Sequence, residues 1–122
     1  MTEGGRPWLV FGVMGGDMQP HVQVLVNLID FGLNEQAAGE AARLEHVGSA
    51  TPTGRGARRN GGTVEAEPVM AAEVVAELER RGHQVVRVRT NGGGYQGIRI
   101  DPASGVLQGG SDQRKDGCAV GY

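Results

Sequence analysis

The stretch FGVMGGDMQPHVQVLVNLIDFG, residues 11–32, decides how the chain is read. An apolar run closes on Gly15 and Gly16, and a helical pattern starts within a few residues. Val22, Leu25, Val26 and Ile29 fall at i, i+3, i+4 and i+7, which places them on one helical face, while Gln23, Asn27 and Asp30 point elsewhere. Gly32 supplies the left-handed stop. A glycine corner between strand and helix has two readings. It can aim backbone N–H groups at a bound anion, helped by the helix dipole, or it can simply let the chain turn. The stretch is not a phosphate loop, because no Gly-Lys-Ser/Thr ending is present.

Around this corner the pattern is αβ followed by a small sheet. PWLVFGVMGG reads as a buried strand bounded by Pro7 and the glycine pair, with neighbours covering both faces. Asn34 is a good N-cap for a second helix running to about Ala42. Residues 48–62 mix Ser, Thr, Pro, Gly and Arg without apolar periodicity and read as a long flexible loop. GGTVEAEP is a short strand with Val64 and Ala66 on one side. VMAAEVVAELERRG is the clearest helix, with Ala71, Val74, Val75 and Leu78 as its apolar face, a Glu77–Arg81 pair at i+4, and Gly82 as its end. HQVVRVR, GIRI and GVLQGG complete the strands. No internal repeat and no shift of composition marks a second domain, so residues 1–122 read as one.

Composition sets the limits. The 122 residues suit one modest core, and the 22 glycines are far above the usual ~7% of a soluble chain. Aromatic residues make up 4%, with Trp8 and Phe11 the largest contributors to packing. A net charge of -2 gives no global attraction to nucleic acid or to an anionic membrane. Arg55, Arg58 and Arg59 cluster in a Gly-rich loop with no aromatic residue on which bases could stack, and read as a solvated loop. No stretch approaches a membrane span, and MTEGGRPW lacks the form of a signal peptide, so a soluble chain is expected.

The remaining chemistry candidates have plain structural readings. Cys118 is expected to be a small core residue, with no His beside it to make it a nucleophile. His21, His46 and His83 lack metal-ligand spacing. NGGGYQG, residues 91–97, is a flexible glycine cluster that does not lead from a strand into a helix. SDQRKDG reads as a charged turn, since Arg114 stands where a calcium loop needs an oxygen ligand. Glu73, Glu77 and Glu79 occupy a solvated helix face. No self-contained catalytic constellation is visible.

Taken together, FGVMGGDMQP, HVQVLVNLIDFGLN, GEAARLEH and the terminal GGSDQRKDGCAVGY resemble the C-terminal part of the bacterial γ-glutamyltransferases, N-terminal-nucleophile hydrolases, over nearly the whole chain and in the family's order. The resemblance implies an α+β fold, part of an αββα sandwich with mixed or antiparallel sheets and about three helices. It implies a threonine that attacks a γ-glutamyl carbonyl of a glutathione-type donor and passes the acyl group to water, an amino acid or a peptide. Gly15 and Gly16 match the glycine pair whose N–H groups form the family's oxyanion hole. The nucleophile belongs to a segment upstream of the matching region, and Thr2, followed by EGGRPW, is not its equivalent. No cofactor and no metal are implied. An upstream γ-glutamyltransferase polypeptide is the expected partner, and the isolated chain is expected to be inactive. The rival is a non-catalytic module of the same fold that buries its apolar surfaces in a homodimer; a third reading is a small-anion-binding domain at the glycine corner. The chain departs from the family in lacking residues between Pro20 and His21 and in the glycine segment before Tyr95. Two residues removed from a helix rotate the rest of it by about 200°.

Overall fold

A computed structural model describes residues 1–15, 18–48, 61–89 and 93–121. Eleven elements succeed one another: β1 (Thr2–Glu3), β2 (Arg6–Pro7), β3 (Leu9–Met14), α1 (Met18–Ile29), α2 (Glu35–Glu40), β4 (Leu44–Val47), β5 (Thr63–Ala66), α3 (Ala72–Arg80), β6 (Val85–Arg87), β7 (Gly94–Ile100) and β8 (Leu107–Ser111). Their contacts fall into two compact units, Met1–Ala41 with Gly93–Tyr122, and Ala42–Gly92.

The first unit is an antiparallel sheet in the order β3-β7-β8, with the small β1-β2 ribbon at the chain start. Leu9 and Val13 of β3 and Tyr95 of β7 point to one face, where Val24 and Leu28 of α1 and Ala38 of α2 meet them in a single buried cluster. Each such Leu or Val side chain contributes roughly 1.5–3 kcal/mol on burial. The opposite face carries Val10, Met14, Ile98 and Leu107, all exposed. The expectation that neighbours cover both faces of the first strand is therefore corrected. Within this unit β3 is covered on one side only.

The register of α1 also differs from the expected one. Pro20, Val24 and Leu28 are buried, whereas Val22, Val26 and Ile29 are exposed and Leu25 is half-buried. Six of the eight residues 22–29 are apolar, so periodicity offers two stripes, and contact with Leu9 and Val13 selects one. Gly32 ends the turn after α1 at φ +64°, as expected. The helix runs unbroken through Pro20–His21, and β7 through Gly94–Tyr95, the two places where the sequence reading expects a shortening relative to the family.

Asn34 caps α2 as read, its Oδ1 accepting from the Ala37 N–H at 2.8 Å. The helix stops at Glu40 rather than near Ala42, because Ala41 turns to ψ 144°. Gln36 joins α2 to β8. Its side-chain amide donates to the Ser111 carbonyl at 2.8 Å and its Oε1 accepts from the Ser111 N–H at 3.0 Å, as a neighbouring strand would. Glu35, only 5% exposed, pairs with Arg99 at 3.1 Å, and the Arg99 guanidinium lies over the Trp8 ring.

In the second unit β4 pairs antiparallel with β5, and β5 pairs parallel with β6 across the α3 crossover. β4 is a strand that the sequence reading does not anticipate. Its four residues are all half-buried and lack a clean alternation. Val64 and Ala66 face inward as expected. The apolar face of α3 is thinner than expected: Ala71 and Val74 are exposed and no residue of the helix is fully buried. Glu77 pairs with Arg81 at 2.7 Å and also with Arg80, and the two guanidinium groups lower the Glu77 carboxyl from its ordinary value. Gly82 comes after α3 at φ +93°. Most of the 48–62 loop, with Arg55, Arg58 and Arg59, lies outside the described residues.

Candidate functional site

The site lies at the end of β3. Gly15 comes after Met14 at φ +89°, a backbone conformation that a residue with a Cβ rarely adopts. Among the described residues a Cβ there would meet only the Gly93 Cα at 3.8 Å, so conformation rather than space requires glycine. Gly93, at φ +75°, is confined more tightly, because a Cβ would come within 2.6 Å of Val13 Cγ1 and 2.8 Å of the Met14 carbonyl oxygen. Of the two glycines singled out in the sequence, Gly15 is thus placed at the turn out of the strand. Gly16 lies outside the described residues.

Beside this turn is a cleft of about 690 Å³, lined by Gly12, Met14, His21, Gly94, Gln96 and Lys115 among others. His21, from the first turns of α1, accepts a hydrogen bond at Nε2 from the Val13 N–H at 3.1 Å. The bond occupies an amide on the outer edge of the sheet, and the ring lies tilted against Phe11 at 5.8 Å. Asp116 and Cys118 complete the rim. Cys118 is exposed, which corrects the expectation of a core position. The segment that carries it leaves the sheet after Ser111 and runs back over its open face.

SDQRKDG is more than a charged turn, because two of its charges are structural. Asp112 is 1% exposed, accepts from the Tyr95 N–H at 3.1 Å and from the Arg114 N–H at 2.9 Å, and pairs with the Arg114 guanidinium at 3.0 Å. Arg114 then donates to the carbonyls of Gly39 and Ala41, both at 3.0 Å, and so closes the C-terminal end of α2. Gly117 presses against the Gln96 amide and Ser111 Oγ, which hydrogen-bond each other at 2.9 Å. The glycine cluster at 91–97 is likewise corrected in part: Gly94, Tyr95, Gln96 and Gly97 belong to β7. The sequence pattern carries the terminal segment in the family resemblance yet gives neither segment a role in a site. Their periodicity is hidden by glycines, and only the close approach of Gly94 and Gly117 to neighbours explains why glycine stands there.

With a single α layer on one face of a sheet, an open second face and a glycine corner at a cleft, the first unit has the layer order from which αββα hydrolases are built. Comparison with known proteins agrees. The sequence profile of the gamma-glutamyltranspeptidase family matches residues 1–122, and the chain belongs to that family. It is 30% identical over 126 residues to the glutathione hydrolase-like YwrD proenzyme of Bacillus subtilis, covering 99% of this chain and 22% of that protein. Among solved structures, cephalosporin acylase from Bacillus halodurans superposes with a TM-score of 0.82 at 40% identity, over 99% of this chain and 21% of that one. Gamma-glutamyltranspeptidase from Pseudomonas nitroreducens, complexed with L-DON, gives 0.78 at 27% identity, over 100% and 59%. The chain spans about a fifth of the length of the curated relatives it matches. The fold is α+β, with three helices and both antiparallel and mixed sheets among the described residues.

Proposed function

We propose that this chain forms the oxyanion side of a γ-glutamyl-transferring or γ-glutamyl-hydrolysing site, with Gly15 and Gly16 as backbone donors and the nucleophilic threonine contributed by polypeptide outside residues 1–122. The observation that carries this reading is the family match over residues 1–122 together with Gly15 held at φ +89° where β3 ends beside a cleft. In the proposed reaction the threonine hydroxyl attacks the γ-glutamyl carbonyl, and its proton passes to the threonine's own α-amine. Negative charge then grows on the carbonyl oxygen. N–H groups already aimed at that oxygen lower the barrier without reorganising, which in other enzymes is worth about 2.7–4 kcal/mol per donor. Collapse expels the donor's amine, which takes up the proton. Water, an amino acid or a peptide then removes the acyl group from the threonine.

Gly15→Ala tests the role of the corner. The substitution keeps the N–H but strains the backbone at a positive φ, so the donor is displaced rather than deleted. In the assembled protein, release of 4-nitroaniline from γ-glutamyl-4-nitroanilide is expected to fall in kcat by roughly tenfold to a hundredfold, with a smaller change in KM. The 122-residue chain alone is expected to release none, and mixing it with a threonine-bearing polypeptide of the family is expected to restore release. Full activity of the chain by itself, or an unchanged kcat in Gly15→Ala, would refute the proposal.

A further inference from the structure

The hydrogen bond from Val13 to His21 ties the two arms of the glycine corner together. Val13 pairs with Tyr95 across the β3-β7 ladder, and both main-chain groups of Tyr95 are turned away from it, the N–H to the Asp112 carboxylate and the carbonyl to the Asp112 N–H. The Val13 N–H therefore points out of the ladder, as at the non-hydrogen-bonded positions of an antiparallel pair. His21 Nε2 accepts it at 3.1 Å and so joins the end of β3 to α1, with Gly15 inside the closure. Gly15 has little packing of its own to hold it. It carries no side chain, and among the described residues its surroundings leave the position open except toward the Gly93 Cα, so packing alone does not fix the direction of its N–H. The imidazole, by contrast, is seated. Its ring lies against Phe11 at 5.8 Å, Phe11 lies against Tyr95 at 6.3 Å, and Tyr95 is fully buried. A neutral imidazole accepts at one nitrogen and donates at the other, so the N–H arriving at Nε2 assigns the ring proton to Nδ1.

We infer that His21, as the Nδ1–H tautomer, is a positioning residue: through the Val13 N–H it fixes the exit of β3 against α1 and so holds the Gly15 turn in donor geometry. The inference rests on the reading of Gly15 as an oxyanion donor. In this role His21 touches no reacting atom. Its contribution is preorganisation, since a donor that must be re-aimed during the reaction loses the advantage of one already in place. Another acceptor that reaches the Val13 N–H would serve as well, and a ring without nitrogen would not.

With the protein in its native assembly, heteronuclear NMR is expected to show a scalar coupling between the Val13 amide and His21 Nε2 and a proton on Nδ1. Absence of either would overturn the assignment whatever the variants do. His21→Phe keeps a ring against Phe11 and removes the acceptor. It is expected to shift the Gly15 amide resonance and to lower kcat for γ-glutamyl-4-nitroanilide by about tenfold, with KM changed less than about twofold. His21→Gln, whose side-chain carbonyl reaches about as far as Nε2, is expected to recover most of both effects. Added to Gly15→Ala, His21→Phe is expected to cost little more, because the two changes act on one donor. Losses in kcat that multiply would mark a separate structural effect and overturn the inference, as would an unmoved Gly15 amide or a His21→Gln protein no better than His21→Phe. The amide shift is read without substrate or turnover. An unchanged kcat in Gly15→Ala would defeat the proposed function and leave the tether standing on that shift, whereas an impaired Gly15→Ala beside a His21→Phe of wild-type kcat would defeat the positioning role alone.

Discussion

Tyr95 is packed tightly on both sides. Its ring is fully buried between Gly39 of α2 and Gly97 of its own strand, and a Cβ at either glycine would collide with it. Among the described residues its hydroxyl has no hydrogen-bond partner. Burial first, and the nearby Glu35 carboxylate second, push the phenol up to about 12. A folded-state value raised above the ordinary ~10 leaves stability intact below pH 10 and removes it as pH rises from there through about 12, because only the unfolded chain ionises in that window. Tyr95→Phe removes an unsatisfied polar group while keeping the ring. It is expected to raise stability by about 1 kcal/mol at pH 7 and to flatten the alkaline limb between pH 10 and 12. Urea midpoints measured across that range check both effects. Gly39→Ala should act oppositely and cost at least about 2 kcal/mol, since the Tyr95 ring and the α2 backbone cannot both stay in place. None of this is legible in NGGGYQG, where a single aromatic among glycines gives no period. Gly15 was legible because strand, turn and helix signals meet there.

At the scale of elements, α2 shows how a six-residue helix persists. Asn34 satisfies its start and Arg114 its end, from a point 75 residues from Gly39 in sequence. Asn34→Ala is expected to lose about 1 kcal/mol. Arg114→Met should lose more, about 3 kcal/mol, because it leaves the Asp112 carboxylate buried without its ion pair. The contrast with α3 is informative. Its N-cap, Ala71, has an extended ψ of 139° and makes no side-chain bond, so Ala71→Ser is expected to gain about 0.5–1 kcal/mol. Thermal melts of the three variants would rank them in that order of sign and size. Local caps such as Asn34 and stops such as Gly82 could be read from the sequence, since their signals lie within a turn of the helix. Arg114 could not, because its partners are brought to it only by the pairing of β7 with β8.

For the whole molecule, the open face of the β3-β7-β8 sheet is the dominant fact. Val10 faces Ile98 across the ladder, and they are exposed by 63% and 46%. In an αββα sandwich this is the face on which a second sheet rests. Val10→Thr combined with Ile98→Thr is expected to leave folding of the first unit nearly unchanged and to weaken association with the threonine-bearing polypeptide proposed above by roughly tenfold, as read by co-purification and light scattering. No described helix is long and apolar enough to cross a membrane. The strand order that creates the open face was not visible in the sequence; the αβ succession was, and the resemblance supplied the layering that periodicity could not.

The same order of strands governs how the chain comes into being. β3, residues 9–14, has its partner at residues 94–100, with the whole of Ala42–Gly92 placed between them. A ribosome therefore releases β3 and α1 well before the strand that pairs with β3 exists. Until residues 94–100 are translated, Leu9, Val13, Val24 and Leu28 lack Tyr95, which belongs to the same buried cluster. Slow decoding between α1 and β7 would prolong that unsheltered interval, and the cell's chaperones would meet this protein during synthesis rather than after it.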